Sequence, residues 1–257
     1  MKARIDIFNT ASELADTLTD LFYSHIGILC QMKRTVNIVL PGGNTPQLLF
    51  KRIATRPVMA ESVPDWNNVH FFWSDERCVP PNHAESNFGM ANRYLLRALN
   101  ISEYNVHRIR GENNPNEEVM RYSEEIRKHV AIKDAMPVFD WIFLGMGEDG
   151  HTASIFPDQL SLLYTDQICA VAFHPQSGQQ RITLTGKPII HAERITFMVT
   201  GRSKCQRIKE ILADEPAAKK YPARYIKPLR GKLEWFLDKQ AAELIQGQVN
   251  SDKEEIR

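Results

Sequence analysis

The chain has 257 residues, 43% of them hydrophobic and 25% charged, with a formal net charge of +1. Such a composition describes an ordinary globular protein, long enough for one large α/β domain. So even a charge balance gives no general attraction to nucleic acid or to a membrane, and any anion site must be local.

Residues 4–8 alternate like a short strand. Thr10-Ala11-Ser12-Glu13 has capping-box spacing, and Leu14, Leu18, Leu21, Phe22, Ile26 and Leu29 follow at helical spacing. His25 lies beside that stripe and reads as packed. Residues 36–40 form the next strand, which ends in Pro41-Gly42-Gly43-Asn44-Thr45-Pro46. The two glycines allow a sharp turn and close approach to a ligand. Pro46 suits the first turn of a helix over 47–54. Strand, glycine turn, hydroxyl and helix together offer exposed amides and a helix dipole to an anion. The Gly-Lys-Ser/Thr ending of a Walker A loop is absent.

Residues 69–73 are a third, buried strand, running into Ser74-Asp75-Glu76-Arg77-Cys78-Val79-Pro80-Pro81-Asn82-His83. Charges crowded beyond an apolar strand are either a functional cluster or a surface ion pair of Asp75 or Glu76 with Arg77, which would contribute little. Ser86-Asn87 starts a helix, and residues 101–111 are an irregular or short strand segment. A charged helix spans about 116–133, and its Glu117, Glu118, Arg121, Glu124, Glu125, Arg127 and Lys128 read as a solvated face.

Residues 139–144 are the most apolar strand, buried on both faces. Gly145-Met146-Gly147-Glu148-Asp149-Gly150-His151 then packs three glycines, two acids and a histidine into one turn. Thr152-Ala153-Ser154 is expected to open a helix. A histidine at such a corner stands where open α/β sheets place ligands, beyond the carboxyl ends of the strands. Gly145-x-Gly147-x-x-Gly150 formally matches a dinucleotide fingerprint. However, Glu148 and Asp149 would meet the pyrophosphate, and no acid ends the next strand, so a nicotinamide cofactor is not expected.

Strands over 168–173, 181–184 and 194–200 follow, with Arg181 opening the second. Gly201-Arg202-Ser203-Lys204 then leads a helix to about residue 213. A loop over 214–230, a strand over 233–237 and a helix over 239–245 close the reading, with a frayed tail after about residue 247. The βα alternation predicts a parallel or mostly parallel α/β sheet with helices on both faces, and no linker splits the chain, so a single domain over 1–257 is expected. Cys30, Cys78, Cys169 and Cys205 are far apart. No clustered Cys/His metal ligands stand out, and the pattern suits a reducing cytosol. Neither a signal peptide nor a membrane span is expected.

Pro41–Pro46, the Asp75–Asn87 block, Gly145–Ser154, Arg181-Ile182-Thr183-Leu184-Thr185 and Gly201-x-x-Lys204 together resemble the signature blocks of 6-phosphogluconolactonases. In the glycine loop, Pro41 and Asn44 stand where serines are common. The resemblance implies a Rossmann-like, mostly parallel sheet related to that of glucosamine-6-phosphate deaminases. It also implies a cytoplasmic carboxylic ester hydrolase of the pentose phosphate pathway, opening a phosphosugar lactone without metal or other cofactor. Neither nucleic acid nor membrane would be a partner, and the state would be a monomer or small homo-oligomer. A histidine, whose ordinary pKa of about 6.5 suits neutral operation, is the natural base. On this reading His151 is that base, Asp149 or a neighbouring acid orients it, and Arg77 polarises the carbonyl or holds the sugar acid. Phosphate and substrate would lie on Gly42, Gly43, Asn44, Thr45 and Asp75, with Arg181 and Lys204 supplying charge. His83 is the rival histidine. Two alternatives are an aldose–ketose isomerase/deaminase with Asp75 as base, and a non-catalytic sugar-phosphate sensor, for which the chain has no spare DNA-binding segment.

Overall fold

The computed structural model describes residues 3–32, 35–57 and 63–245. The elements begin with β1 (Arg4–Phe8), α1 (Ala11–Met32), β2 (Val36–Leu40), α2 (Asn44–Thr55) and β3 (Val69–Trp73). Next come β4 (Asp75–Arg77), α3 (Asn87–Ala91), α4 (Pro115–His129) and a small hairpin of β5 (Ile132–Lys133) and β6 (Met136–Pro137). Last are β7 (Trp141–Leu144), β8 (Cys169–Phe173), β9 (Gln180–Leu184), α5 (Gly186–Ile190), β10 (Arg194–Val199), α6 (Cys205–Leu212) and β11 (Lys232–Asp238). The expected tail after residue 247 lies outside the described residues.

Six strands form one sheet in the order β1-β11-β10-β7-β2-β3, and every pairing is parallel. Strands β2, β3, β7 and β10 are buried along their whole length. Covered on both faces, they are mostly apolar, and the polar residues they do bury, Asn37, His70, Arg194 and Thr196, lie among them. Helix α1 contributes Leu14, Leu18, Phe22 and Ile26, one helical stripe, to the same core. Its start is capped as expected at one end: Glu13 N donates to Thr10 Oγ1 at 3.1 Å. The return bond comes from Asn9 N, at 2.9 Å to the Glu13 carboxylate. His25 is packed, its ring 5.2 Å edge-on from Trp141.

The chain runs from β2 outward to β3, then crosses back over β2 to β7 and proceeds the other way to β10 and β11. The direction therefore reverses between β2 and β7, which is where an open α/β sheet leaves a crevice at its carboxyl edge. Both glycine turns begin there.

At the end of β3, the buried Tyr122 hydroxyl accepts from Trp73 N at 2.8 Å and donates to Trp73 O at 3.0 Å. The chain then leaves the main sheet. Strand β4 joins β9 and β8 in a second, antiparallel sheet. The strands over 168–184 thus belong to this smaller sheet, and the three charged residues of β4 had given no strand signal.

Other expectations are corrected. Residues 152–154 do not open a helix: Ala153 has φ 49° and Thr152 bridges to Ile155, a tight turn. The charged helix ends at His129 because the β5–β6 hairpin follows. Its charged face is not all solvated, since Glu118 is fully buried and accepts from Arg110 N (2.7 Å), Asn113 Nδ2 (2.9 Å) and Arg121 Nε (2.8 Å). Residues 239–245 form turns rather than a helix. There Asp238 Oδ1 accepts from Ala241 N at 2.7 Å and, with Oδ2, from Gly201 N. The stretch 214–230 carries short 3₁₀ turns at Pro216–Lys220 and Pro222–Tyr225.

Candidate active site

A cavity of about 390 Å³ opens at the crevice between β2 and β7. Gly42, Gly43, Asn44 and Thr45 line it from the β2–α2 turn, Asp75 and Arg77 from β4, and Arg181 from β9. His151 and Lys204 complete its wall, and Asp149 stands behind His151. Every expected site residue is thus in or against one cavity. His83 is not among its lining residues; it lies on a neighbouring cavity with Glu85 and Arg97.

The β2–α2 turn presents bare backbone. Gly43, at φ +105°, is the N-cap of α2, and no side chain caps the helix. Its first amides are therefore left to whatever the cavity holds, and the dipole of this twelve-residue helix favours an anion there. Gly42 must be glycine for a different reason: a Cβ would fall 2.0 Å from Asn87 Oδ1. Asn87 in turn donates through Nδ2 to Asp75 O at 2.9 Å. Thr45 and Thr200 share a hydrogen bond of 2.7 Å, tying the start of α2 to the end of β10.

The turn after β7 is built around a histidine. Gly147 N donates to His151 O at 2.9 Å, and Gly150 takes φ +83°. Asp149 Oδ1 accepts from both His151 N (3.1 Å) and His151 Nδ1 (2.6 Å). Burial works to raise the Asp149 carboxyl, but the hydrogen bond and charge of His151 outweigh it and hold it below the usual carboxylate range. An ionised carboxylate only accepts, so the imidazole proton sits on Nδ1. Nε2 then carries the lone pair, and among the described residues it has no hydrogen-bond partner. Gly147 makes room for the ring: a Cβ there would lie 2.2 Å from His151 Nδ1. The Phe156 ring packs 4.7 Å from the imidazole.

Strand β4 supplies the charges. Asp75 is buried, and its oxygens accept from Ser74 Oγ (3.1 Å) and Ser154 Oγ (2.7 Å). Glu76 is also buried and accepts from the backbone of Arg77, Asn87 and Phe88 and from Ser86 Oγ. Burial pushes its carboxyl up against those four bonds. Neither acid pairs with the Arg77 guanidinium among the described residues, so the surface ion pair considered above does not form. Instead Arg77 stands opposite Arg181 in the β4–β9 register. Like charges directly opposite are destabilising unless something neutralises them. Both Nε atoms are buried without a hydrogen-bond partner, and burial, then Arg77, holds the Arg181 guanidinium below its ordinary value. Arg77 Nη1 donates to Glu85 O at 2.5 Å and Arg181 Nη2 to Gln179 Oε1 at 3.2 Å. On the far wall, Lys204 Nζ is 3.8 Å from Glu148 Oε1, a loose contact.

Three positioning residues were quoted in the sequence blocks but given no role: Asn87, Ser154 and Thr183, whose Oγ1 accepts from Ser154 N at 3.1 Å. Their bonds join segments distant in sequence, so no local pattern could have assigned them. The expectation of no clustered metal ligands is also revised, because His70, His107 and His129 come together away from the cavity.

Comparison with known proteins gives the family. A family model described as glucosamine-6-phosphate isomerases/6-phosphogluconolactonase matches residues 9–235. The 6-phosphogluconolactonase of Haemophilus influenzae is 44% identical over 238 residues, 93% of this chain and 98% of its own. The human 6-phosphogluconolactonase is 35% identical over 246 residues, 94% of this chain and 93% of its own. Among solved structures, that of the Trypanosoma brucei 6-phosphogluconolactonase superposes with a TM-score of 0.84 at 28% identity, covering 95% of this chain and 99% of the other.

Proposed function

The chain belongs to the glucosamine-6-phosphate isomerase/6-phosphogluconolactonase family, and from that premise we propose how its cavity works. It catalyses hydrolysis of 6-phospho-D-glucono-1,5-lactone to 6-phospho-D-gluconate in the pentose phosphate pathway. A lactone is an activated ester, so opening it needs a positioned water, a base and a stabiliser for the developing oxyanion. His151 Nε2 takes a proton from water as the water oxygen attacks the lactone carbonyl carbon. Asp149 holds the Nδ1–H and stabilises the imidazolium that forms. Arg77 faces the oxyanion. When the ring C–O bond breaks, His151 returns the proton to the departing ring oxygen, which becomes a hydroxyl.

The phosphate sits on the uncapped amides of Gly43–Thr45, with Lys204 and Arg181 adding charge. Asp75 grips Ser154 and so holds the far side of the histidine turn. The observation that carries this reading is the His151–Asp149 bond of 2.6 Å in one cavity with Arg77 and Arg181, which stand directly opposite each other with both Nε atoms buried and unpartnered. It combines a base with a fixed tautomer and a place for an anion. The isomerase/deaminase alternative needs Asp75 as a free base, whereas both its oxygens accept bonds from serines. The site draws on residues from Gly42 to Lys204, so one α/β unit carries the whole activity. No described helix is long and apolar enough to cross a membrane.

The test is a lactone-opening assay with the phosphorylated substrate beside its unphosphorylated counterpart, each corrected for opening in water alone. The reading requires turnover with a strong preference for the phosphorylated lactone. No acceleration of either, with conversion of an amino or keto sugar phosphate instead, would transfer the cavity to the isomerase chemistry.

A further inference from the structure

Near the amino end of β3, far from the cavity, three histidines converge. His70 lies in β3, His107 is fixed beside that strand by the bond from its N to Phe71 O (2.9 Å), and His129 is the last residue of α4. One ring nitrogen from each lies within 4.8 Å of the others. His70 and His107 are buried, and the His129 side chain is 12% exposed. We propose that His70, His107 and His129 form a binding site for a divalent transition-metal ion, Zn²⁺ in the first instance, with Glu125 as its outer partner.

Proton placement supports this. Glu125 Oε1 lies 2.7 Å from His107 Nδ1 and 3.4 Å from His129 Nε2. As a carboxylate, Glu125 only accepts. His107 must therefore be protonated on Nδ1, which turns the Nε2 lone pair toward His70 Nδ1, 2.7 Å away. A carboxylate bound to the outer nitrogen of a ligand histidine is the usual arrangement in metal sites. Binding needs only that the His70 proton move from Nδ1 to Nε2. The nitrogen–nitrogen contact then opens to roughly 3.3 Å, the edge of a tetrahedron with metal–nitrogen bonds of about 2.0 Å. His107 and Glu125 also line a surface cavity of about 870 Å³, which gives the ion a way in.

Five residues of extended strand, roughly 16 Å, separate His70 from Asp75, so the ion would act on stability rather than on the reaction. The test titrates the full chain with Zn²⁺, and with Co²⁺ for its visible absorption. His129→Ala removes the most accessible ligand without opening the core, and Glu125→Gln removes the outer carboxylate. The expected result is one tight equivalent of metal, a Co²⁺ band, and a higher Tm with Zn²⁺. Affinity should fall about 10- to 100-fold in Glu125→Gln and further in His129→Ala, with lactone opening unchanged throughout. Undetectable binding by the wild-type chain would overturn the proposal. So would binding that is equally tight in the folded His129→Ala protein.

Discussion

At the scale of single residues, the site depends on which atom carries a proton. His151 and Asp149 are two positions apart in one glycine-rich turn, so the sequence brought them together but left open which acid orients the ring; in the structure Asp149 bonds Nδ1. Replacing Asp149 with Asn should free the imidazole to adopt the wrong tautomer. Turnover is expected to fall by orders of magnitude with KM little changed, as when the orienting acid of a triad is neutralised. A rise in KM at constant kcat would instead make Asp149 a substrate contact. Because its carboxyl is held below its ordinary value, the stability it adds is full above about pH 3.9, the unfolded aspartate value. That contribution is lost as pH falls through the lower folded value. An acid limb in the rate near neutral pH would therefore not come from Asp149. Arg77 and Arg181, by contrast, meet only because β4 pairs with β9, and nothing local in the sequence shows that.

At the scale of elements, the strands buried on both faces and the two glycine turns were legible, since burial demands apolar runs and tight turns demand glycine. Elements decided by long-range bonds were not. Residues 152–154 curl back because Thr152 Oγ1 donates to Gly145 O at 2.9 Å and Ser154 bonds Asp75 and Thr183. Residues 239–245 stay in turns where Asp238 takes the backbone amides of Ala241 and Gly201. The turn after β7 yields a sharp prediction. Gly147→Ala should push the His151 ring aside and cut turnover about 100-fold, the scale of an ångström-sized misplacement, while circular dichroism and Tm stay close to wild type. Near-normal turnover would mean the ring needs no such clearance. At the ends of β9 and β10, Arg181→Ala and Lys204→Ala should each weaken use of the phosphorylated lactone about ten- to hundredfold, the worth of one charge-assisted contact. The unphosphorylated lactone should be little affected. Equal losses on both substrates would move the residue concerned from the phosphate to the carbonyl.

At the scale of the whole molecule, the parallel sheet separates stability from chemistry. Its carboxyl edge holds the cavity. Towards the other edge, Arg194 and Glu234 form a buried pair at 2.8 Å, Thr196 Oγ1 donates to the same carboxylate at 2.8 Å, and Trp141 Nε1 donates to Thr196 Oγ1. Glu234→Ala would leave a buried guanidinium unpaired and should lower unfolding free energy by roughly 3–5 kcal/mol in denaturant titrations. A loss under about 1 kcal/mol would mean the cation is solvated there. Exhaustive chelation should leave turnover intact, because the three histidines stand apart from the cavity and the proposed base is an imidazole. Loss on chelation that one metal ion restores would make His151, Asp149 and Asp75 ligands. The account as a whole rests on His151. The most direct measurement is background-corrected turnover of folded His151→Ala alongside its affinity for 6-phosphogluconate. The account predicts product binding close to wild type and turnover lowered about 10²–10⁴-fold. A folded, product-binding variant with near-normal corrected turnover would contradict it.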